Sequence, residues 1–137
     1  MWITYALLSA FFAALVAIFA KLGMSKVDSD LATAIRTVVI LVLAWSIAWF
    51  RGKLDGIVNL DRSAILFLVL SGLATGFSWL FYFRAMQMGK VSQVAPIDKL
   101  SLAIVIVLSA LFLGEAITWK VALGAALIIA GTIVVII

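Results

Sequence analysis

Three charged residues of this 137-residue chain lie inside long apolar segments: Arg36, Asp98 and Lys99. Arg36 is followed by the uncharged run Thr37–Phe50, and Lys99 by the uncharged run Leu100–Leu113. As a helix, each run extends about 21 Å at roughly 1.5 Å per residue, whereas the hydrocarbon core of a bilayer is about 30 Å thick. Either both helices are short, or the three charges lie within the hydrocarbon region.

A charge inside the hydrocarbon region usually has an opposite charge beside it or faces a wet cavity. Arg36 and Asp98 are the predicted ion pair, which would leave Lys99 with a free positive charge. The alternative is that all three side chains extend to the membrane surface and only influence topology. We favour a role in binding or gating, because a charge at the bilayer centre costs at least about 2.5–3.5 kcal/mol.

Pro96 lies just before the charged pair, and it either starts the fourth helix or breaks the helix just before the charges. A break would direct backbone N–H groups and a partial positive charge toward a cavity. Together with Arg36 and Lys99, such a break predicts an anionic or zwitterionic small-molecule ligand. Glu115 lies after the same segment, and we favour a structural role in capping the next helix over a coupling role in which it titrates.

The composition is that of a membrane protein. Hydrophobic residues make up 67% of the chain and charged residues 12%, against roughly 45–50% apolar residues in soluble domains. The chain has no cysteine and no histidine, so thiolate metal sites and the commonest catalytic base are absent. The net charge of +4 is scattered, so we predict no nucleic-acid partner, and likewise no enzyme activity, metal or cofactor.

Five segments are long and apolar enough to cross a bilayer as helices. The sequence therefore predicts an all-α integral membrane protein, with a single domain over residues 1–137. The connectors are short and polar, and spanning strands would have to alternate in polarity and close into a barrel. The predicted spans cover about residues 2–20, 31–50, 63–83, 94–113 and 118–137.

The loops on the two sides of the membrane carry equal positive charge. Four basic residues lie on the side of the N-terminus and four on the other side, so the usual excess that sets orientation is missing. The chain either inserts in one orientation set by another factor, such as a partner, or inserts both ways. The two sets are Arg51, Lys53, Arg62 and Lys120, and Lys21, Lys26, Arg84 and Lys90.

Several motifs resemble the EamA repeat of the drug/metabolite transporter superfamily, and together they cover essentially the whole chain. The most specific is the stretch that ends in FLGE and is followed by an aromatic-containing helix start and a Gly- and Ala-rich last span. The motifs are AKLG (20–23), LATAIRT (31–37), SGLATGFSWLFYFRAMQMG (71–89), VAPIDKLSLAIVIVLSALFLGEAITW (94–119) and GAALIIAG (124–131).

The resemblance implies a fold, an assembly and a set of cavity residues. Most such proteins carry two five-helix repeats in opposite orientations, and this chain has one repeat, so the resemblance implies an antiparallel homodimer. Small multidrug resistance proteins use an acidic residue in the first span, which this chain lacks, and that departure puts their drug/proton mechanism in doubt here. The cavity candidates carried over from the family are Lys21, Trp79, Tyr82, Asp98, Lys99 and Ser101.

For Trp79 and Tyr82 the alternative is an anchor at the membrane interface. The predicted function is a small-metabolite exporter or exchanger in the cell (inner) membrane, which works as a homodimer by alternating access around a central cavity. A dual-topology ion channel, and an accessory membrane subunit that needs a partner chain, remain as alternatives.

Overall fold

The computed structural model describes residues 1–137 and contains only helices, turns and connecting segments. Five helical segments are long and apolar enough to cross a membrane, so the predicted all-α membrane fold is confirmed. The fourth segment consists of two consecutive helices. The elements are α1 (Trp2–Gly23), α2 (Ser29–Phe50), a 3-10 helix (Leu54–Asn59), α3 (Arg62–Met88), α4 (Val91–Asp98), α5 (Ser101–Leu113) and α6 (Trp119–Ile136).

The third span differs most from its predicted bounds. The sequence placed its end at Phe83, before the charge of Arg84, but α3 continues to Met88 and is 27 residues long. Such a helix extends about 40 Å, more than a hydrocarbon core of about 30 Å. The extra turn is tolerated because the Arg84 side chain is exposed, and its guanidinium is 3.7 Å from the carboxylate of Asp28.

The helix ends follow familiar local rules. Asp28 begins α2 as an N-cap, since its side chain accepts from the backbone N–H of Asp30 at 2.9 Å, which satisfies one of the unpaired donors of the first turn. Thr118 caps α6 in the same way, through the N–H of Val121. Gly114 ends α5 at φ 68°, ψ 20°, a left-handed conformation that glycine adopts without steric cost.

The chain separates into two compact units, a central unit of residues 18–87 and a terminal unit of residues 1–17 and 88–137. The buried side chains of the central unit cluster at one end, where α1 ends, α2 begins and α3 ends. Farther along α2 and α3 the apolar side chains are exposed, as at Val39 and Phe67. Its buried residues are Ala20, Met24, Ser29, Thr33, Phe83 and Met86.

Three polar contacts hold that packed end together. The amine of Lys21 donates to the carbonyl of Met86 at 2.6 Å, and the amide of Gln87 donates to the carbonyl of Val27 at 3.1 Å. The third is the Asp28–Arg84 pair, whose side chains are more than half exposed, so it contributes only about 0–1 kcal/mol. The Lys21 contact matters more, because Met86 lies in the last turn of α3 and the last carbonyls of a helix lack partners within it.

The terminal unit is organised around α6, which packs along both α4 and α5. The fourth span is interrupted where α4 ends, because the backbone changes its hydrogen bonding there. The N–H of Leu100, which would bond the carbonyl of Pro96 in an unbroken helix, donates to Ile97 instead. Thr132 of α6, which is 3% exposed, donates its hydroxyl to the freed carbonyl of Pro96 at 3.2 Å.

Candidate functional site

Arg36 lies in the central unit, seven residues after α2 begins at Ser29. Its guanidinium carbon is 4.0 Å from the ring centroid of Phe83 and 5.6 Å from that of Trp79. Both rings come from α3, four residues apart, and positions at that spacing share one helix face. The ring faces attract the cation electrostatically, so α3 supplies an aromatic platform for the charge of α2.

The Arg36 Nη1 atom is buried and has no hydrogen-bond partner. This is unusual, because buried polar atoms nearly always have one. The end of α3 near the guanidinium is tightly packed, because Phe83 and Met86 are only 1% and 0% exposed. Thr33, one turn earlier on α2, is also buried, and its hydroxyl donates to the carbonyl of Ser29 at 2.7 Å. Arg36 therefore rests on a packed base with part of its hydrogen-bonding capacity unused.

The predicted Arg36–Asp98 ion pair would join the two units, and it stays a prediction. Arg36 meets aromatic rings in its own unit, whereas Asp98 forms an ion pair with the neighbouring Lys99 at 3.2 Å. That pairing also changes the expectation that Lys99 would carry a free positive charge. Its amine is half exposed beside the carboxylate, so this pair contributes little net charge to its surroundings.

The break in the fourth span falls later than the sequence indicated. Pro96 lies inside α4, and the helix ends at Asp98, so the break follows the aspartate instead of preceding both charges. The first amides of α5 are already in use. The N–H groups of Leu102 and Ala103 donate to the carbonyls of Lys99 and Leu100. The helix start therefore offers fewer free N–H donors to a ligand than we expected.

The other candidate residues lie in several different places. Lys21 is engaged with the carbonyl of Met86 at the packed end of the central unit. Tyr82 is half-buried, and its ring meets that of Phe83 edge-on, with centroids 5.2 Å apart. Ser101 is exposed at the start of α5, and Glu115 is exposed in the segment between α5 and α6. The roles assigned to these residues, and to Asp98 and Lys99, stay predictions.

Two residues that sequence reasoning missed shape these sites. Phe83 was treated only as the end of a span, although its spacing of four from Trp79 places both rings on one face of α3. Thr132 is a single hydroxyl among apolar residues of the last span, and in an apolar environment such a hydroxyl needs a partner. The isolated hydroxyl could have been noticed in the sequence, but only the structure identifies the Pro96 carbonyl as its partner.

A separate apolar groove lies between the last turns of α2 and the 3-10 helix. Its volume is about 420 Å³, and it contains none of the predicted site residues. The walls are mainly tryptophan and aliphatic side chains, so it offers a surface for acyl chains rather than for a charged ligand. The lining residues are Val42, Trp45, Ser46, Trp49, Phe50 and Leu54.

The fold and the candidate site first define the class of protein. It is an all-α multi-pass membrane protein in which an arginine of α2 packs on two aromatic rings of α3. Comparison with known proteins then gives the family, because the EamA-like transporter family matches residues 1–137. The chain belongs to the EamA-like transporter family, and it is a membrane transporter.

Two relatives are similar over different shares of the chain. A Sinorhizobium protein named "Uncharacterized transporter in cobO 3'region" is 49% identical over 132 residues, which cover 96% of this chain and 94% of that protein. An uncharacterized protein of Methanocaldococcus jannaschii is 32% identical over 81 residues, 59% of each chain. No solved structure matches the chain.

Proposed function

We propose that two copies of this chain form an antiparallel homodimer that exports or exchanges a small metabolite across the cell (inner) membrane by alternating access. The observation that carries the proposal is the exposure of α2 and α3 beyond the packed end of the central unit. Val39 and Phe67 there are 62% and 68% exposed. A five-helix repeat with such open faces needs lipid or another repeat against it, and a second copy supplies a repeat of matching shape.

The balance of basic residues supports the antiparallel arrangement. Because four basic residues lie on each side of the five spans, the charge distribution that normally fixes one orientation is missing. Copies inserted in both orientations would be related by a two-fold axis in the membrane plane. Inverted repeats of this kind, fused in one chain, are the framework of many secondary transporters.

The discontinuous fourth span is the element that suits alternating access. Broken helices in transporters lie near the substrate site and move as one repeat rocks against the other. Here α4 and α5 both pack against α6, and one side-chain hydrogen bond, from Thr132 to Pro96, joins α6 to the break. In this proposal the break changes its geometry during transport, whereas the Arg36 platform, with Phe83 buried, stays fixed.

Topology is the first test, and the absence of cysteine gives a clean background. Single cysteines in the 51–62 loop and after Ile137 are labelled with a membrane-impermeant thiol reagent, before and after permeabilisation. We expect each site to be about half accessible from outside. Labelling of each site from one side only would exclude the antiparallel homodimer and direct the search to an oppositely oriented partner chain.

Transport is tested with the purified chain alone in proteoliposomes. Saturable uptake that is accelerated by substrate inside the vesicle supports an exchanger. Unitary currents without saturation would instead indicate the dual-topology channel. Activity that appears only when a second protein is added would indicate an accessory subunit.

A further inference from the structure

The charge of Arg36 lacks an anionic neighbour in its own unit, although it lies well inside a span. The residue is about 10 Å along α2 from Ser29, at roughly 1.5 Å per residue. Cations at such depth are usually paired with an acid or line a substrate pathway. We propose that the missing partner is a carboxylate or phosphate oxyanion of a small soluble molecule, so that Arg36 is the anion-binding residue of the transported substrate. This inference rests on the proposed transport function.

The aromatic platform leaves hydrogen-bonding capacity of Arg36 unused. The N–H donors of a guanidinium lie in its plane and form a fork that matches the two oxygens of a carboxylate or phosphate. Phe83, at 4.0 Å from the guanidinium carbon, covers a face of the group and uses none of the donors. The buried Nη1 has no hydrogen-bond partner, so an oxyanion that reaches it as the side chains around it adjust would satisfy an unpaired donor.

The platform also holds the guanidinium in place before a ligand arrives. Phe83 is 1% exposed, and its ring is fixed from the side by that of Tyr82. Arg36 itself is half-buried between the α3 rings. Ordering a free arginine side chain on binding reduces affinity, and an arginine that is already packed avoids most of that cost.

The neighbouring face of α3 has room for the rest of a ligand. Gly72 and Gly76 precede Trp79 at helical spacing, so they lie on the same face of α3 as the two rings. A methyl group placed on either glycine would have no neighbouring atom within 4 Å. A substrate whose anion binds Arg36 can therefore extend along these two turns, with the half-buried ring of Trp79 beside it.

The first experiment measures binding and requires no transport. Radiolabelled benzoate and inorganic phosphate are titrated, each at up to millimolar concentration, against the full chain in a phospholipid-free maltoside detergent. We expect saturable binding by the wild type and a loss of about tenfold or more in affinity for Arg36→Gln, because charge-assisted bidentate bonds are lost. Arg36→Lys keeps the charge without the fork and should be intermediate. Neutral benzamide should not compete.

Arg51→Gln is the matched control, since it makes the same exchange at the exposed C-terminal end of the same helix. It should bind both anions as the wild type does. Gel filtration of every variant shows whether it is folded, and Arg36→Lys keeps the test decisive if Arg36→Gln is not. Wild-type protein that binds neither anion, or equal affinity in the wild type, Arg36→Lys and the folded Arg36→Gln, would overturn the inference.

A second arm separates a soluble anion from a lipid headgroup, which also presents a phosphate. Phosphatidylglycerol or phosphatidylcholine is added to the micelles during the same titration. If phosphatidylglycerol binds in an Arg36-dependent manner and neither soluble anion does, Arg36 is a lipid contact and the inference is overturned. Arg36-dependent binding of benzoate or phosphate that persists when either lipid is present supports the inference.

The two proposals fail in distinguishable ways. Arg36-dependent anion binding by a protein that shows no saturable uptake in proteoliposomes would refute the transport proposal and leave the anion site intact. Saturable uptake of a substrate with unchanged kinetics in Arg36→Lys and Arg36→Gln would refute the anion site and leave the transport proposal intact.

Discussion

Replacing Thr132 by valine tests how far the contact of α6 with the break in the fourth span depends on one hydroxyl. Valine has nearly the same shape as threonine but cannot donate a hydrogen bond. The Thr132 hydroxyl is shared between the carbonyl of Ile128 at 2.8 Å, within α6, and the carbonyl of Pro96 at 3.2 Å, across to α4. Thr132→Val removes both bonds, and only the second links two helices.

The expected magnitude follows from hydrogen bonding between membrane helices. Such side-chain bonds average about 0.6 kcal/mol and reach about 1.7 kcal/mol. The Pro96 carbonyl keeps one bond, from the N–H of Lys99 at 3.0 Å, so it is not left without a partner. We therefore expect Thr132→Val to lower the free energy of unfolding by about 0.5–1.5 kcal/mol, a change of roughly two- to tenfold in the equilibrium constant.

Thr75→Val is the matched control. The Thr75 hydroxyl donates at 2.8 Å to the carbonyl of Ser71 in its own helix, so this variant loses the intrahelical bond alone. Unfolding is followed by circular dichroism as the mole fraction of a denaturing detergent increases in mixed micelles. We expect Thr132→Val to be the less stable of the two variants. Equal stability would show that the bond from Thr132 to Pro96 does not stabilise the contact between α6 and α4.

Three further changes test other parts of the fold. Lys21→Met should destabilise the chain by about 1–2 kcal/mol in the same unfolding assay, because a carbonyl at the end of α3 loses its donor. Gly114→Ala should cost about 1–2 kcal/mol, since alanine is strained at φ 68°. The Ser63 hydroxyl holds the pKa of Asp61 below its ordinary value of 3.8. The stability that ionised Asp61 contributes is fully present above pH 3.8, and it is lost as the pH falls through the lowered pKa. Ser63→Ala should raise that pKa, as followed by carboxyl NMR.

Matched controls accompany these changes. Lys26 is exposed, so Lys26→Met should leave stability within about 0.5 kcal/mol of the wild type. Gly124 is helical and a methyl there meets no atom within 4 Å, so Gly124→Ala should be neutral or stabilising by up to about 1 kcal/mol. If Gly124→Ala cost as much as Gly114→Ala, the backbone conformation of Gly114 would not be the cause. A Lys26→Met loss equal to that of Lys21→Met would contradict the capping role.

The spans could be predicted from sequence because the bilayer imposes a length and a polarity on each segment. That constraint applies along the chain alone, so it identifies five apolar segments without information on which segments pack together. For lack of that information, it placed the end of the third span too early. A hydropathy criterion stops at Arg84, whereas the helix continues because Asp28 and Lys21 meet its last turn from other segments.

The partners of the charged residues could not be predicted in this way. Opposite charge made Asp98 the obvious partner of Arg36, yet Asp98 has Lys99 as its adjacent partner, and aromatic faces also attract a guanidinium. The choice between these contacts depends on distances of a few ångströms between helices. Sequence spacing carries that information only within one helix, as it does for Trp79 and Phe83.

Arg36 and the Asp98–Lys99 pair are held in different ways, and we propose that they have different tasks in the proposed transport cycle. Arg36 rests on a buried ring next to the packed end of the central unit, so its position costs little to maintain and suits ligand binding. The Asp98–Lys99 pair is partly exposed at a helix break, where the side-chain hydrogen bond to α6 comes from the Thr132 hydroxyl. A change in the geometry of the break would move that pair. Substitution at Arg36 should therefore alter apparent affinity, whereas weakening the contact at the break through Thr132→Val should alter the turnover rate.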